Sequence, residues 1–196
     1  MKTSLLTTLR LVIGFSVLGG YGCSPKDTLP GDEVWVFLLA GQSNMAGRDQ
    51  AEEEDRETHP RVWTIDSLNN FKLAEQPLHF YEPDRPGVDC GLAFGTELVE
   101  NLEEEVTILI LPTAVGGTRI DQWLGDSTFR GVTLLSNFKE KAKLGRRHGK
   151  IKGILWHQGE DDAPFSDNIE VHDEQLGKLF DEFRSICRDR KLPIFV

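Results

Sequence analysis

Cysteine is scarce, with three in 196 residues. None forms a Cys-x-x-Cys pair or takes the His/Cys spacing of a structural metal site, so no metal and no cofactor are expected. Basic charge is in short supply too: 22 Lys and Arg stand against 32 Asp and Glu, a net charge of −10. That balance argues against nucleic acid and against an anionic lipid surface as partners, and suits a neutral glycan better than a polyanion. No internal repeat is present. The apolar stretch near the N-terminus, Leu11 to Leu18, is too short to cross a bilayer as a permanent helix.

That stretch has another meaning. Lys2 and Arg10 precede it and small residues follow it up to Gly22-Cys23, the layout of a secretory signal peptide over residues 1–22. Cys23 stands where a bacterial lipoprotein carries its lipid, although Gly20 replaces the usual leucine three residues upstream. The chain is therefore expected to be exported, periplasmic or at the cell surface. A lipid at Cys23 would be its one tie to a membrane; the alternatives are soluble secretion after cleavage, or a free cysteine in a disordered tail. Export makes a disulfide between Cys90 and Cys187 permissible, but pairing is not readable from spacing. Residues 23–32, polar with two prolines and a glycine, read as a tether. Residues 33–196 read as one domain, the usual outcome at this length.

Within that domain, apolar runs at Val34–Leu39, Val62–Ile65, Val106–Leu111, Ile151–Trp156 and Leu192–Val196 predict five strands. Helical spacing appears over Gly91–Glu105, from Leu135 to about Gly145, and from Leu176 to Cys187. Strands alternating with helices predict a three-layer, doubly wound α/β/α parallel sheet. Glu52 to Asp55 reads as a solvated loop, and residues 71–89, with three prolines and no period, as an irregular excursion beside the site. The chain stops inside the fifth strand, so the domain is expected to be C-terminally incomplete.

The most informative segment is Leu39-Ala40-Gly41-Gln42-Ser43-Asn44-Met45. A strand ending in Gly-x-Ser can turn sharply and lift the serine oxygen out of the sheet, as a nucleophile requires; the plainer reading is a helix N-cap. The second glycine of the Gly-x-Ser-x-Gly elbow is missing, replaced by Met45, so serine chemistry on another scaffold is indicated. Two further segments follow strands in the same way: Pro112-Thr113-Ala114-Val115-Gly116-Gly117-Thr118, and His157-Gln158-Gly159-Glu160. Strand-then-GQSNM with strand-then-HQGE resembles the SGNH hydrolases. The nearer likeness is to the sialate O-acetylesterase and acetylxylan esterase group, carbohydrate esterase family 6.

The resemblance implies a flavodoxin-like sheet, Ser43 as nucleophile, and an acetylated glycan or sialic acid as substrate. The oxyanion hole would draw on the Ser43 N–H, an N–H of Gly116 or Gly117, and the Gln158 amide in place of the asparagine of typical members. Strand alternation continued past Trp156 points Gln158 and Glu160 one way and His157 the other, which makes His157 a supporting residue rather than the base. Glu160 is a candidate to orient the catalytic histidine, its plainer reading being an exposed carboxylate. Three acids in a row, Glu160-Asp161-Asp162, come without a histidine pair, and no metal site is assigned. Trp123 is either a sugar-stacking wall or a core residue; Arg119 and Asp121 either bind hydroxyls or are solvated.

The family's Asp-x-x-His, expected after the fifth strand to supply the base, is not among these residues, and His59, His79, His148 and His172 do not match its context. The expected activity is carbohydrate O-acetylester hydrolysis through an acetyl-serine. The alternative is a carbohydrate-binding or scaffold protein that has lost its base.

Overall fold

The computed structural model describes residues 29–164 and 166–196, with the backbone alone over 166–170. Residues 1–28, on which the expected signal peptide, Cys23 and most of the expected tether fall, lie outside the described residues. The first strand, β1 (Glu33–Gly41), is followed by a single helical turn, α1 (Ser43–Ala46), then β2 (Val62–Ile65) and β3 (Phe71–Leu73). Next come α2 (Gly91–Glu100), β4 (Val106–Pro112), α3 (Ile120–Leu124) and a small hairpin of β5 (Thr128–Phe129) and β6 (Val132–Thr133). The chain continues through α4 (Leu134–His148), β7 (Lys150–His157), α5 (Ser166–Cys187) and β8 (Ile194–Phe195).

Six strands form one sheet in the order β3-β2-β4-β1-β7-β8, parallel throughout except for β3, which runs antiparallel to β2 at one edge. The strand run Val36-Phe37-Leu38-Leu39-Ala40 is buried throughout because both faces of β1 are covered. Val36, Leu38 and Ala40 meet Trp123 of α3, Phe138 of α4 and Phe183 of α5. Phe37 and Leu39 meet Met45 and Ala46 of α1 and Leu92 and Val99 of α2. Three layers result.

The doubly wound α/β class agrees with the sequence reading, but the strand order does not. A flavodoxin-like sheet runs 2-1-3-4-5 in its parallel strands; here the third parallel strand, β4, lies between the first and the second, giving 2-3-1-4-5. Every run was legible as a strand, but neighbour order depends on which faces the connections cover, which no single run encodes. The arrangement has a consequence for the site. The chain leaves β1 onto the α2 face and leaves both neighbours of β1 onto the α4–α5 face. Connections diverging in this way open a crevice at the carboxyl end of β1.

The irregular stretch before α2 is fixed by side chains rather than by a ladder. Asp89 is buried and accepts the Gly91 N–H at 2.7 Å, substituting for the missing N-cap of α2. Its other oxygen pairs with buried His79 Nδ1 at 2.9 Å, and Gln76 donates to the Asp89 carbonyl at 2.7 Å. Cys90 and Cys187 are free thiols in different layers of the fold.

Candidate active site

β1 ends at Gly41 with φ +134°, a conformation that side-chain-bearing residues rarely adopt. A Cβ there would stand 2.0 Å from the His157 carbonyl oxygen, so only glycine allows β1 and β7 to finish side by side. Gln42 N–H donates to that carbonyl at 2.9 Å, and the chain turns at once into α1 with Ser43 as its first residue. Ser43 is half-buried, and its side chain caps no helix. Its N–H, at the first position of a helix, has no protein acceptor among the described residues.

The glycine loop is laced to the same strand end. Val115 N–H donates to Gly41 O at 3.2 Å, while Thr113 donates to Leu39 O through its N–H and its hydroxyl, at 2.8 and 2.7 Å. Thr118 Oγ donates to Val115 O at 2.9 Å and accepts the Trp123 indole N–H at 3.0 Å. Gly117, at φ +81°, is half-exposed and its N–H meets no protein acceptor among the described residues. Gly116 differs from its expected role: it is buried and its N–H donates to Glu82 at 2.6 Å, away from the mouth. Of the pair, Gly117 is the free donor.

The third loop departs further from the sequence reading. β7 ends at His157, and Gly159 at φ +142° redirects the chain, so strand alternation does not carry on to Glu160. His157 and Glu160 consequently lie on the same exposed side, with His157 Nε2 3.5 Å from Glu160 Oε1. Asn44, next to Ser43, donates to that same glutamate oxygen. Gln158 turns inward instead. Its amide donates to Asp162, to Thr118 O at 3.1 Å and to Gln42 Oε1 at 3.4 Å, so as placed it braces the three loops and offers no donor to the mouth. Asp162, buried, also accepts the Ile120 N–H at 3.1 Å and so ties α3 to this loop. His172 of α5 reaches the loop as well: a Cβ at Gly159 would lie 4.0 Å from its Nε2.

Trp123 is not a sugar-binding wall. It is fully buried, edge-on to Trp156 at 5.5 Å and to Phe183 at 5.9 Å, because α3 presents its apolar side to the α5 face of the sheet. Arg119 caps α3 through its N–H to Gln122 Oε1 at 2.9 Å, and its half-exposed side chain pairs with Asp121 at 3.2 Å. Among the described residues no group of three or more His, Cys, Asp or Glu side chains is arranged to hold a metal. The residues that sequence reasoning missed are Gln42, Asn44, Glu82 and Asp162. Gln42 and Asn44 flank the serine inside a motif already singled out. Glu82 and Asp162 carry no local signal, since their partners lie far along the chain.

A serine at the tip of the first strand, a glycine turn after the third parallel strand and His-Gln-Gly-Glu at the end of the fourth, on a parallel α/β sheet, are the arrangement of an SGNH-like α/β fold. The chain belongs to the carbohydrate esterase family described as sialic acid-specific acetylesterase, whose model matches residues 33–196. A probable carbohydrate esterase of Arabidopsis thaliana is 29% identical over 181 residues, covering 81% of this chain and 65% of the relative. The chain thus spans just under two thirds of that relative's length. A solved structure of an Arabidopsis thaliana protein superposes with a TM-score of 0.72 at 26% identity, covering 84% of this chain and 73% of the other. The crystal structure of NanS shares the fold at TM-score 0.64 and 19% identity, covering 84% and 67%. A carbohydrate acetylesterase from Xanthomonas citri shares it at TM-score 0.54 and 18% identity, covering 81% and 40%.

Proposed function

We propose that the protein hydrolyses acetyl esters on sugar hydroxyls through an acetyl-Ser43 intermediate. The observation that carries this reading is the pairing of Ser43 with two unspent backbone donors, its own N–H and that of Gly117, on loops laced together at the end of β1. Ser43 Oγ attacks the acetyl carbon while a general base takes its proton. The carbonyl oxygen becomes an oxyanion facing the two N–H groups, and the sugar oxygen leaves with a proton as the free hydroxyl. Water then releases acetate by the same route. In this reading Glu160, bonded to Asn44 beside the serine, orients the histidine of the family's Asp-x-x-His, which is the base, and His157 next to Glu160 is a supporting residue. Gln158 and Asp162 keep the loops in register.

An acetylated glycan, with O-acetylated sialic acid foremost, is the substrate class that the family description supports. Export and lipid attachment at Cys23 belong to the same reading and rest on the pattern of residues 1–23. Acetate release from O-acetylated sialic acid and from acetylated xylan, measured side by side, tests the activity and ranks the substrates. No acetate from either, with the protein folded, would favour the non-catalytic binding reading. Partition of Cys23→Ala into the soluble fraction, with the parent chain in the membrane fraction, tests the anchor.

A further inference from the structure

Glu82 belongs to none of the sequence motifs and sits in the irregular stretch before α2, yet its side chain is only 7% exposed. Its carboxylate ties three segments together. Oε2 accepts the Gly116 N–H at 2.6 Å and Arg48 Nη2 at 2.8 Å, while Oε1 accepts Arg130 Nη1. Arg48 also donates to the neighbouring Gly47 carbonyl at 2.6 Å, which holds its guanidinium against the segment leaving α1. Arg130 sits at the tip of the β5–β6 hairpin, where Arg130 and Gly131 both have positive φ, as a two-residue turn requires. That hairpin overlies the glycine loop: a Cβ at Gly117 would lie 3.4 Å from Arg130 Nη2 and 3.5 Å from the Phe129 ring. Burial pushes the Glu82 carboxyl up, but the Gly116 N–H and the two guanidiniums outweigh it and hold it below the ordinary carboxylate range.

We propose that Glu82 is a positioning residue for acyl transfer. By fixing the Gly116 N–H and bridging Arg48 to Arg130, it aims the Gly117 N–H at the oxyanion position and keeps it in register with Ser43. The proposal rests on the esterase reading of the site. The Gly116 N–H belongs to the Val115–Gly116 peptide, which meets the Gly116–Gly117 peptide through φ and ψ of Gly116. Glu82 fixes the first peptide directly, and by holding Arg130, with Phe129, over Gly117 it limits how far the second can swing. Without the carboxylate that peptide is released, and Arg48 and Arg130 face each other as like charges with no counterion. The Ser43 hydroxyl and its own N–H, held by the β1–β7 junction, stay in place. The loss therefore falls on the transition state rather than on binding.

The test is steady-state acetate release by Ser43→Ala and Glu82→Gln against the parent chain, with melting curves for each. Glutamine retains an acceptor oxygen but places an NH2 against a guanidinium. The expected result is a kcat lower by about tenfold or more with KM within about twofold, since losing an oxyanion donor outright costs about 10²- to 10³-fold. A raised KM with unchanged kcat, or no change in either, overturns the proposal. Should Glu82→Gln fail to fold, Arg130→Met at the solvent end of the bridge takes its place. A kcat lowered at least about threefold at constant KM supports the proposal, and an unchanged kcat overturns it. Full activity in Ser43→Ala would defeat the esterase reading itself, whereas an inactive Ser43→Ala beside a fully active Glu82→Gln defeats the positioning role alone.

Discussion

A serine hydroxyl is a poor nucleophile until its surroundings stabilise the charge it generates, and the surroundings of Ser43 are mostly backbone. Its side chain is replaceable by nothing else nearby, so Ser43→Ala is expected to lower acetate release by about 10³-fold or more while leaving the melting temperature within a few degrees. Undiminished turnover by the alanine variant would remove Ser43 from the mechanism. Asp162 makes the opposite case. Buried, it accepts from both Gln158 and the Ile120 N–H, and Asp162→Ala leaves the Ile120 N–H without a partner and the Gln158 amide with only Thr118 O and Gln42 Oε1. A loss of about 1–3 kcal/mol per orphaned group is expected in urea unfolding, with activity falling as the loops lose register. Ser43, Gly117 and Glu160 could be singled out in the sequence because each follows an apolar run by a few residues. Asp162 and Glu82 could not, because an acid in a run of acids, or before a proline, looks the same whether it is solvated or buried against a distant N–H. Trp123 was open to two readings for a related reason: an aromatic after a glycine pair faces the mouth or the core depending on how a five-residue helix is rotated.

At the level of elements, long apolar runs decided what was legible. The five parallel strands and three longer helices follow from runs and periods wide enough to register, although α2 stops at Glu100, short of the predicted end, and α4 continues to His148. β3, α1, α3 and the β5–β6 hairpin escaped, each being two to five residues long. Stability in such pieces comes from tertiary partners, not from propensity. The junction of β1 and β7 is where an element-level change should be felt most. At Gly41 a methyl group would meet the His157 carbonyl at 2.0 Å and demand an unfavourable φ as well. Neither backbone can withdraw without parting the two central strands. Gly41→Ala is therefore expected to destabilise by about 3 kcal/mol or more, read as a lowered urea midpoint with an unchanged slope. A midpoint equal to the parent's would show that the strand ends are looser than their packing implies.

For the whole molecule, the buried acids set an upper pH limit. Cys187 closes the inner side of α5 against the main core, and burial pushes its thiol from 9.0 to about 12. Tyr81, held between the Pro112 carbonyl at 3.0 Å and Asn137, is likewise raised by burial, with Asn137 opposing and Glu140 adding to the shift. In both cases the folded chain keeps a proton that the unfolded chain gives up. Their stabilisation is fully present below the unfolded pKa and is lost as pH rises, for Cys187 between about 9 and about 12. The slope for one such group approaches about 1.4 kcal/mol per pH unit inside that window. The urea midpoint is accordingly expected to hold up to about pH 8.5 and to decline steadily above 9.0. Cys187→Ala should lower the midpoint at neutral pH through lost packing but flatten its alkaline decline, which separates the ionisation effect from the cavity effect. Native Cys187 should also resist a thiol reagent at pH 8 that labels it at once in urea, since the thiolate form is suppressed and the sulfur is enclosed. An alkaline decline of equal steepness in parent and variant would place the proton release elsewhere, with Tyr81→Phe the next comparison to make.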